Sequence, residues 1–158
     1  MYKRILAPID GSPASRLAMK EAIKLAADQK AKLCFAYVAD EHVPVGEGVA
    51  IDFKKHDATV RKEGKALLEK VLRIAQTEKV SVESHLIEII EPGNHISQAI
   101  VDYAAKWRAD LIVIGTRGHR GLKRFLLGSV ADELIQKTSV PVHLVRRNTS
   151  IKKKTAKK

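Results

Sequence analysis

The stretch LIVIGTRGHRGLKRFLLGS, residues 111–129, decides the fold that we predict for this chain. Its first four residues are apolar without alternation, which is typical of a strand buried on both faces of a parallel sheet. Four glycines and five basic or histidine side chains follow before Ser129, where a helical pattern begins. A buried strand that leads through a glycine-rich turn into a helix predicts an α/β fold with a ligand site at the strand end.

Strand-like and helix-like patterns alternate along the rest of the chain. The predicted strands span residues 2–9, 32–39, 80–89, 111–114 and 140–145. The predicted helices span residues 13–29, 53–78, 95–107 and 130–137. The alternating VSVESHLIEI pattern of residues 80–89 indicates a half-exposed edge strand, and residues 40–52 have turn chemistry. This order predicts a single-domain α/β protein: a Rossmann-like, open, five-stranded parallel sheet with helices on both faces.

Three helices carry capping signals at their starts. Ser12 before Pro13 is an expected N-cap for the first helix, and Asn94 is one for the third. Ser129 with Asp132 has the spacing of a capping box for the last helix.

Length and composition limit the function classes. The 158 residues fit one domain, and the single cysteine, Cys34, leaves no internal disulfide. The chain contains no CxxC or HExxH motif for a metal, no signal-peptide pattern and no apolar run long enough for a membrane span. We therefore expect a cytoplasmic protein in which Cys34 packs as a small apolar residue.

The glycine loop has the chemistry of a phosphate site. Glycines let backbone amides approach phosphate oxygens, and the following helix N-terminus favours an anion. Ser129 can donate to the ligand, cap the helix or do both. No GxxxxGK[ST] or GxGxxG motif is present, so a P-loop kinase or an ordinary NAD site is disfavoured.

The spacing of Gly115, Gly118, Gly128 and Ser129 resembles the Gly-x2-Gly-x9-Gly-Ser motif of the ATP-binding branch of the universal stress protein family. ILAPIDGS near the start and VPVHLVR at the end extend the resemblance over about residues 2–147. It implies an adenine nucleotide alpha-hydrolase-like fold for residues 1–147, with residues 148–158 as a basic tail.

The resemblance also implies a ligand, ATP, alone or with Mg²⁺ or Mn²⁺. Its adenine would lie near the first and second strands, its ribose at the end of the first strand, and its phosphates on the glycine loop and on the last helix. The implied nucleotide-binding residues are Pro8, Asp10, Val38, Gly115, Arg117, Gly118, Gly128, Ser129 and Val130.

Some of these residues, and other candidates, also have a purely structural explanation. Asp10 fits a turn before Ser12 as well as it fits a ribose contact. His119 in a polar loop can be solvated rather than bound to phosphate. Tyr103 and Trp107 occupy an apolar helix face, so we interpret them as core residues, and the few aromatic residues argue against single-strand nucleic-acid recognition.

The last strand, VPVHLV (Val140 to Val145), predicts a homodimer, because a bare apolar edge strand pairs readily with another chain. The resemblance implies the same contact. The leading functional hypothesis is a nucleotide-dependent regulatory module of stress response, with an unidentified protein partner. The alternatives are a slow ATP hydrolase or phosphoryl- or nucleotidyl-transfer enzyme, and a nucleic-acid-binding module that uses the lysine tail, which contributes five charges to the net +11.

Overall fold

The computed structural model describes residues 1–40, 53–89, 93–116 and 127–146, which alternate strands and helices. The strands are β1 (Arg4–Pro8), β2 (Lys32–Asp40), β3 (Val82–Ile89), β4 (Leu111–Gly115) and β5 (Val142–Val145). The helices are α1 (Pro13–Gln29), α2 (Phe53–Thr77), α3 (Ile96–Trp107) and α4 (Ser129–Lys137). Each predicted strand and helix is present, with small differences at the ends.

All four strand pairings are parallel, and the strand order is β3-β2-β1-β4-β5. This confirms the predicted open parallel sheet and the edge position of β3. The second edge is β5, whose carbonyl at Val145 accepts the amide of Thr116 (3.0 Å) just after β4. Within the described ranges, each helix is too short or too polar to cross a lipid bilayer.

Two apolar cores cover the two faces of the sheet, since successive strand residues point to opposite sides. On one face Ile5, Phe35 and Val113 pack with α1 and α2. On the other face Leu6 and Ile112 pack with α3 and α4. The helices therefore lie on both faces, as the pattern predicts.

Ser12 caps α1 as predicted: its hydroxyl accepts the amide of Ser15 (3.1 Å). The prediction for Asn94 is wrong. His95 is the N-cap of α3, without a side-chain hydrogen bond among the described residues, and the amide of Ala99 bonds to its carbonyl (3.0 Å). Asn94 lies one residue too early to accept a first-turn amide, and its side chain is exposed.

The core interpretation of Trp107 is confirmed. Its ring is buried, and its Nε1 donates to Glu83 while the guanidinium of Arg4 lies 4.1 Å from the ring centroid. Tyr103 is half-buried and stacks on His85 with ring centroids 4.2 Å apart. Both aromatic side chains thus serve packing at α3.

Candidate functional site

The strand order reverses between β1 and β4. These strands are neighbours at the centre of the sheet, but α1 leads from β1 to β2 while α4 leads from β4 to β5, on the other side. The connections diverge and leave a crevice at the carboxyl ends of the two strands, the usual ligand site of open α/β sheets. Pro8 ends β1 and Gly115 ends β4, so two of the predicted site residues flank this crevice.

Gly115 is required by a close approach of α1 to β4. A Cβ at position 115 would lie 2.7 Å from the carbonyl carbon of Ala14, 2.8 Å from its oxygen and 3.0 Å from its Cβ. Because the first two of these atoms belong to backbone, no side-chain rotation could relieve the overlap. The first glycine of the motif therefore lets the start of α1 lie against the end of β4.

Asp10 lies in the tight turn between β1 and α1. Its Oδ1 accepts the amide of Ser12 (2.9 Å), and its own amide donates to the hydroxyl of Ser15 (3.1 Å). Gly11 between them has φ +78°, a value that favours glycine. The turn-forming role of Asp10 is thus present, and its half-buried carboxylate lies at the crevice. Sequence reasoning missed Ser15, although its position three residues after Ser12 was a usable signal.

The N-terminus of α4 differs from the prediction in a way that concerns the site. Gly128, not Ser129, is the N-cap, and the amide of Asp132 bonds to its carbonyl (2.9 Å). A bond from the amide of Gly128 to the carbonyl of Thr116 (2.7 Å) fixes it there, beside the end of β4. The predicted capping box is therefore wrong, because Ser129 already has helical geometry.

With Gly128 as the N-cap, the backbone amides in the first turn of α4 are available to a ligand. Within the described part of the chain, no side chain caps this helix. The amides of Ser129, Val130 and Ala131 precede the first intrahelical bond, so each needs a partner from water or a ligand. Ser129 is exposed and Val130 is half-buried. Together with the helix dipole, these donors favour an anion.

Val38 and Pro8 lie on neighbouring strands at the same edge. Pro8 is level with Ala36 of β2, whose carbonyl also accepts the amide of Ile9 (2.8 Å), and Val38 follows two residues later. Val38 is half-buried and packs with the α3 and α4 core, which also includes Val130. The apolar residues predicted for adenine and the first turn of α4 thus border the same face of the sheet.

Several predicted features lie outside the described residues. These are the predicted contacts of Arg117, Gly118 and His119, most of the loop at residues 40–52, and the basic tail at residues 148–158. The described site therefore consists of the ends of β1, β2 and β4 with the starts of α1 and α4.

Tyr37 is a neighbour of the site that sequence reasoning missed. Burial raises the pKa of its hydroxyl, and the negative charges of Glu63 and Asp10 add to this effect. The side chain of Tyr37 is half-buried on the α1 and α2 face, where its ring packs on Gly64 of α2. Gly64, an unfavourable residue for a helix interior, is explained by this contact.

The described residues fit a phosphate-bearing ligand better than a protein-held metal. Among them, no group of three or more His, Cys, Asp and Glu side chains could hold a metal ion. Asp10 is one carboxylate at the crevice, and Mg²⁺ commonly binds to one or two carboxylates together with ligand phosphates. Asp10 therefore fits a Mg²⁺ ion that ligand phosphates also bind.

The sheet order and the uncapped N-terminus of α4 define an α/β protein with an open parallel sheet, a class whose ligand sites lie at the strand ends. The model of the "Universal stress protein family" matches residues 1–146. Universal stress protein MJ0531 of Methanocaldococcus jannaschii is 37% identical over 147 residues, which cover 93% of this chain and 84% of that protein. The chain belongs to the universal stress protein family.

Solved structures of universal stress proteins have the same fold as this chain. Universal stress protein UspA from Lactobacillus plantarum, at 22% identity, matches with a TM-score of 0.80 and covers 92% of this chain and 98% of that chain. The universal stress protein from Archaeoglobus fulgidus in complex with dAMP is 27% identical, with a TM-score of 0.63 over 91% of this chain and 98% of that chain. Proteins of this fold and family thus include one that binds an adenine nucleotide.

Proposed function

We propose that this protein is a regulatory module that binds an adenine nucleotide, with ATP as the expected ligand, at the carboxyl ends of β1 and β4. The observation that carries the proposal is the N-terminus of α4, whose first-turn amides lie beside β4 with no side-chain cap among the described residues. The related protein in complex with dAMP supports an adenine nucleotide as the ligand class.

Each part of the nucleotide has a chemically suitable neighbour. The adenine would pack on Pro8 and Val38, and the ribose hydroxyls would donate to the carboxylate of Asp10. The phosphates would accept bonds from the amides of Ser129 and Val130. The remaining phosphate contacts come from the glycine loop, with Arg117 and Gly118 as the proposed donors.

A nucleotide that binds one conformation better than another shifts the population toward that conformation by its differential binding free energy. The start of α1 and the start of α4 belong to different faces of the sheet, so one ligand that contacts both would couple them. We propose that an unidentified protein partner, in the cytoplasm and under stress, recognises the liganded form. Binding rather than turnover is the proposed activity.

The first test identifies the ligand directly. Freshly purified protein is denatured, and any released nucleotide is separated by chromatography and identified by mass, while stripped protein is titrated with ATP. ATP at about one per chain supports the proposal. AMP or ADP in its place would instead support slow turnover, which phosphate release with Mg²⁺ and with Mn²⁺ measures. A stripped protein that binds no adenine nucleotide overturns the proposed function.

Asp10→Asn separates the two roles of Asp10. Asparagine keeps an Oδ1 that accepts the amide of Ser12, so the turn and the free energy of unfolding should change little. The charged acceptor for the ribose is lost, so we expect ATP to bind about tenfold more weakly. Asp28→Asn, at an exposed position of α1, is the matched control. Unchanged affinity in Asp10→Asn would leave the turn as the sole role of this carboxylate.

We further propose that the protein is a homodimer through β5. In the described sheet β5 pairs only with β4, and Leu144 on it remains 38% exposed. The exposed side chain of Leu144 leaves apolar surface available at this edge. The expected mass in light scattering is twice the 17.5 kDa of one chain.

Leu144→Lys tests this edge. A charge in the dimer contact should shift the protein toward the monomer mass at micromolar concentration. Ile74→Lys on α2 is a closely matched control, because Ile74 is also 38% exposed but belongs to the opposite side of the fold. A wild-type protein with monomer mass, or a Leu144→Lys variant that remains dimeric, contradicts pairing through β5.

A further inference from the structure

Ser97 is an unusual residue for its position. Three polar side chains are buried in the described part of the chain, Ser12, Ser15 and Ser97, and all are serines near helix N-termini. Ser12 and Ser15 shape the turn at the candidate site. Ser97 is the second residue of α3, only 1% exposed, and it does not cap its own helix. Its burial therefore needs another explanation.

The hydroxyl of Ser97 donates to a different helix. It lies 2.6 Å from Oε2 of Glu133 in the second turn of α4. The ammonium of Lys137, one turn later, lies 3.3 Å from the hydroxyl and 3.4 Å from the same carboxylate oxygen. The bond from Ser97 is the main reason why the pKa of Glu133 lies below its usual range, and Lys137 lowers it further. The three side chains thus form a closed polar link between α3 and α4.

Within the described residues, this link is one of few directional contacts of α4. α4 has nine residues, and its two buried side chains, Ala131 and Leu134, make apolar contacts that are not directional. The amide of Gly128 fixes the start of the helix to Thr116. A bond to a charged carboxylate is short and strongly oriented, so the bond from Ser97 constrains the rotation and axial position of α4.

The position of α4 decides where its first-turn amides point. Glu133 follows Ser129 by four residues, which is about 6 Å along the helix axis. Because helical N–H groups point along the axis, a small tilt or axial shift of α4 would move the amides of Ser129 and Val130 away from the crevice. Lys137 also offsets the negative charge that Glu133 brings near an anion site.

We propose that Ser97 is a positioning residue for the phosphate groups of the ligand. Through its bond to Glu133 it holds α4 so that the first-turn amides face the crevice. This inference rests on the proposed nucleotide site and adds α3 to the elements that control it. It follows that loss of the bond affects phosphate recognition and not adenosine recognition, since Pro8, Asp10 and Val38 belong to other elements.

The test compares ATP with adenosine in titrations of the full chain. Ser97→Ala should weaken ATP binding by about tenfold while adenosine binding changes by less than about twofold. Glu133→Gln keeps an acceptor oxygen for Ser97 and should retain most of the affinity for ATP. Gln98→Ala is the matched control on α3, because it removes a bond within that helix, to Asp102 (2.8 Å), without touching α4. A purely structural role would lower both affinities together.

The outcomes separate the role of Ser97 from the existence of the nucleotide site. If Ser97→Ala does not fold, Glu133→Ala removes the same bond from the partly exposed side and should produce the same selective loss of ATP affinity. Unchanged ATP affinity in Ser97→Ala or in Glu133→Ala, or an equal loss for ATP and adenosine, overturns the role of Ser97 while leaving the nucleotide site in place. Wild-type protein that binds neither ligand overturns the proposed function and this inference with it.

Discussion

Gly115→Ala is the substitution whose effect the geometry defines best. The added Cβ would meet the backbone of Ala14 at 2.7 Å and 2.8 Å, whereas ordinary contact begins at 3.4 Å, so the start of α1 must move away from β4. Forcing extra volume into a packed site costs about 1–3 kcal/mol, and a backbone obstacle favours the upper end. We expect the free energy of unfolding to fall by about 3 kcal/mol. Urea-induced unfolding with an unchanged m-value would measure this loss.

Gly93→Ala is the control for that experiment. Gly93 has φ +86°, and a Cβ at position 93 would meet none of the described atoms within 4 Å, so the substitution strains the backbone without a steric clash. That strain costs about 1–2 kcal/mol. A Gly115→Ala variant that loses no more stability than Gly93→Ala would refute the close approach as the reason for the glycine at position 115. The ATP affinity of Gly115→Ala should also fall, since Asp10 precedes the displaced helix.

One further substitution, at Gly64, and one alkylation experiment, at Cys34, test the packing of the two cores. Gly64→Ala would place a Cβ 2.5 Å from the ring of Tyr37 and 2.9 Å from Cδ1 of Leu86, so we expect a net loss of about 1 kcal/mol in urea unfolding despite the better helix propensity of alanine. A Tyr37→Ala background should reduce that loss, because it removes the shorter contacts and leaves only the one with Leu86. Burial raises the pKa of Cys34 to about 11 from 9.0, so at pH 8 its thiolate fraction is roughly 100-fold below that of an unperturbed thiol. Alkylation by iodoacetamide should therefore be at least about 100-fold slower in the native protein than in denaturant, and comparable rates would contradict the buried position.

The sequence predicts the fold well because periodicity and strand composition are local properties. The continuous apolar run of β4 indicates a strand buried on both faces, and β4 is buried throughout. The alternation in β3 indicates a half-exposed edge strand, and β3 is an edge strand that is mostly half-buried, with apolar residues packed on both faces. Helix starts are harder to predict, because the N-cap depends on the backbone conformation of a single residue. The bond from Gly128 to Thr116 moves the start of α4 by one residue and changes the role available to Ser129.

Contacts between distant residues account for what the sequence does not reveal. Ser97 and Glu133 are 36 residues apart and have ordinary positions in their own helices, so no local pattern connects them. Gly64 is recognisable as an unfavourable helix residue, but the reason for it is its contact with the Tyr37 ring on β2 and with Leu86 on β3. Such pairs become visible only when the sheet order places the elements side by side.

The two ends of the sheet differ in how β1 and β4 are joined. At the amino end, Asp110 accepts the amides of Lys3 and Arg4 (2.8 and 2.9 Å), and Arg4 donates to the carbonyl of Trp107 (2.8 Å) while it covers the ring. These bonds join the start of β1 to the connection between α3 and β4. At the carboxyl end the corresponding place is the crevice between β1 and β4, bordered by glycines and helix N-termini. Because the amino end already holds β1 against β4, the carboxyl end can leave the first turn of α4 without a side-chain cap among the described residues and without loss of the fold. These first-turn amides are the donors that we propose for the ligand.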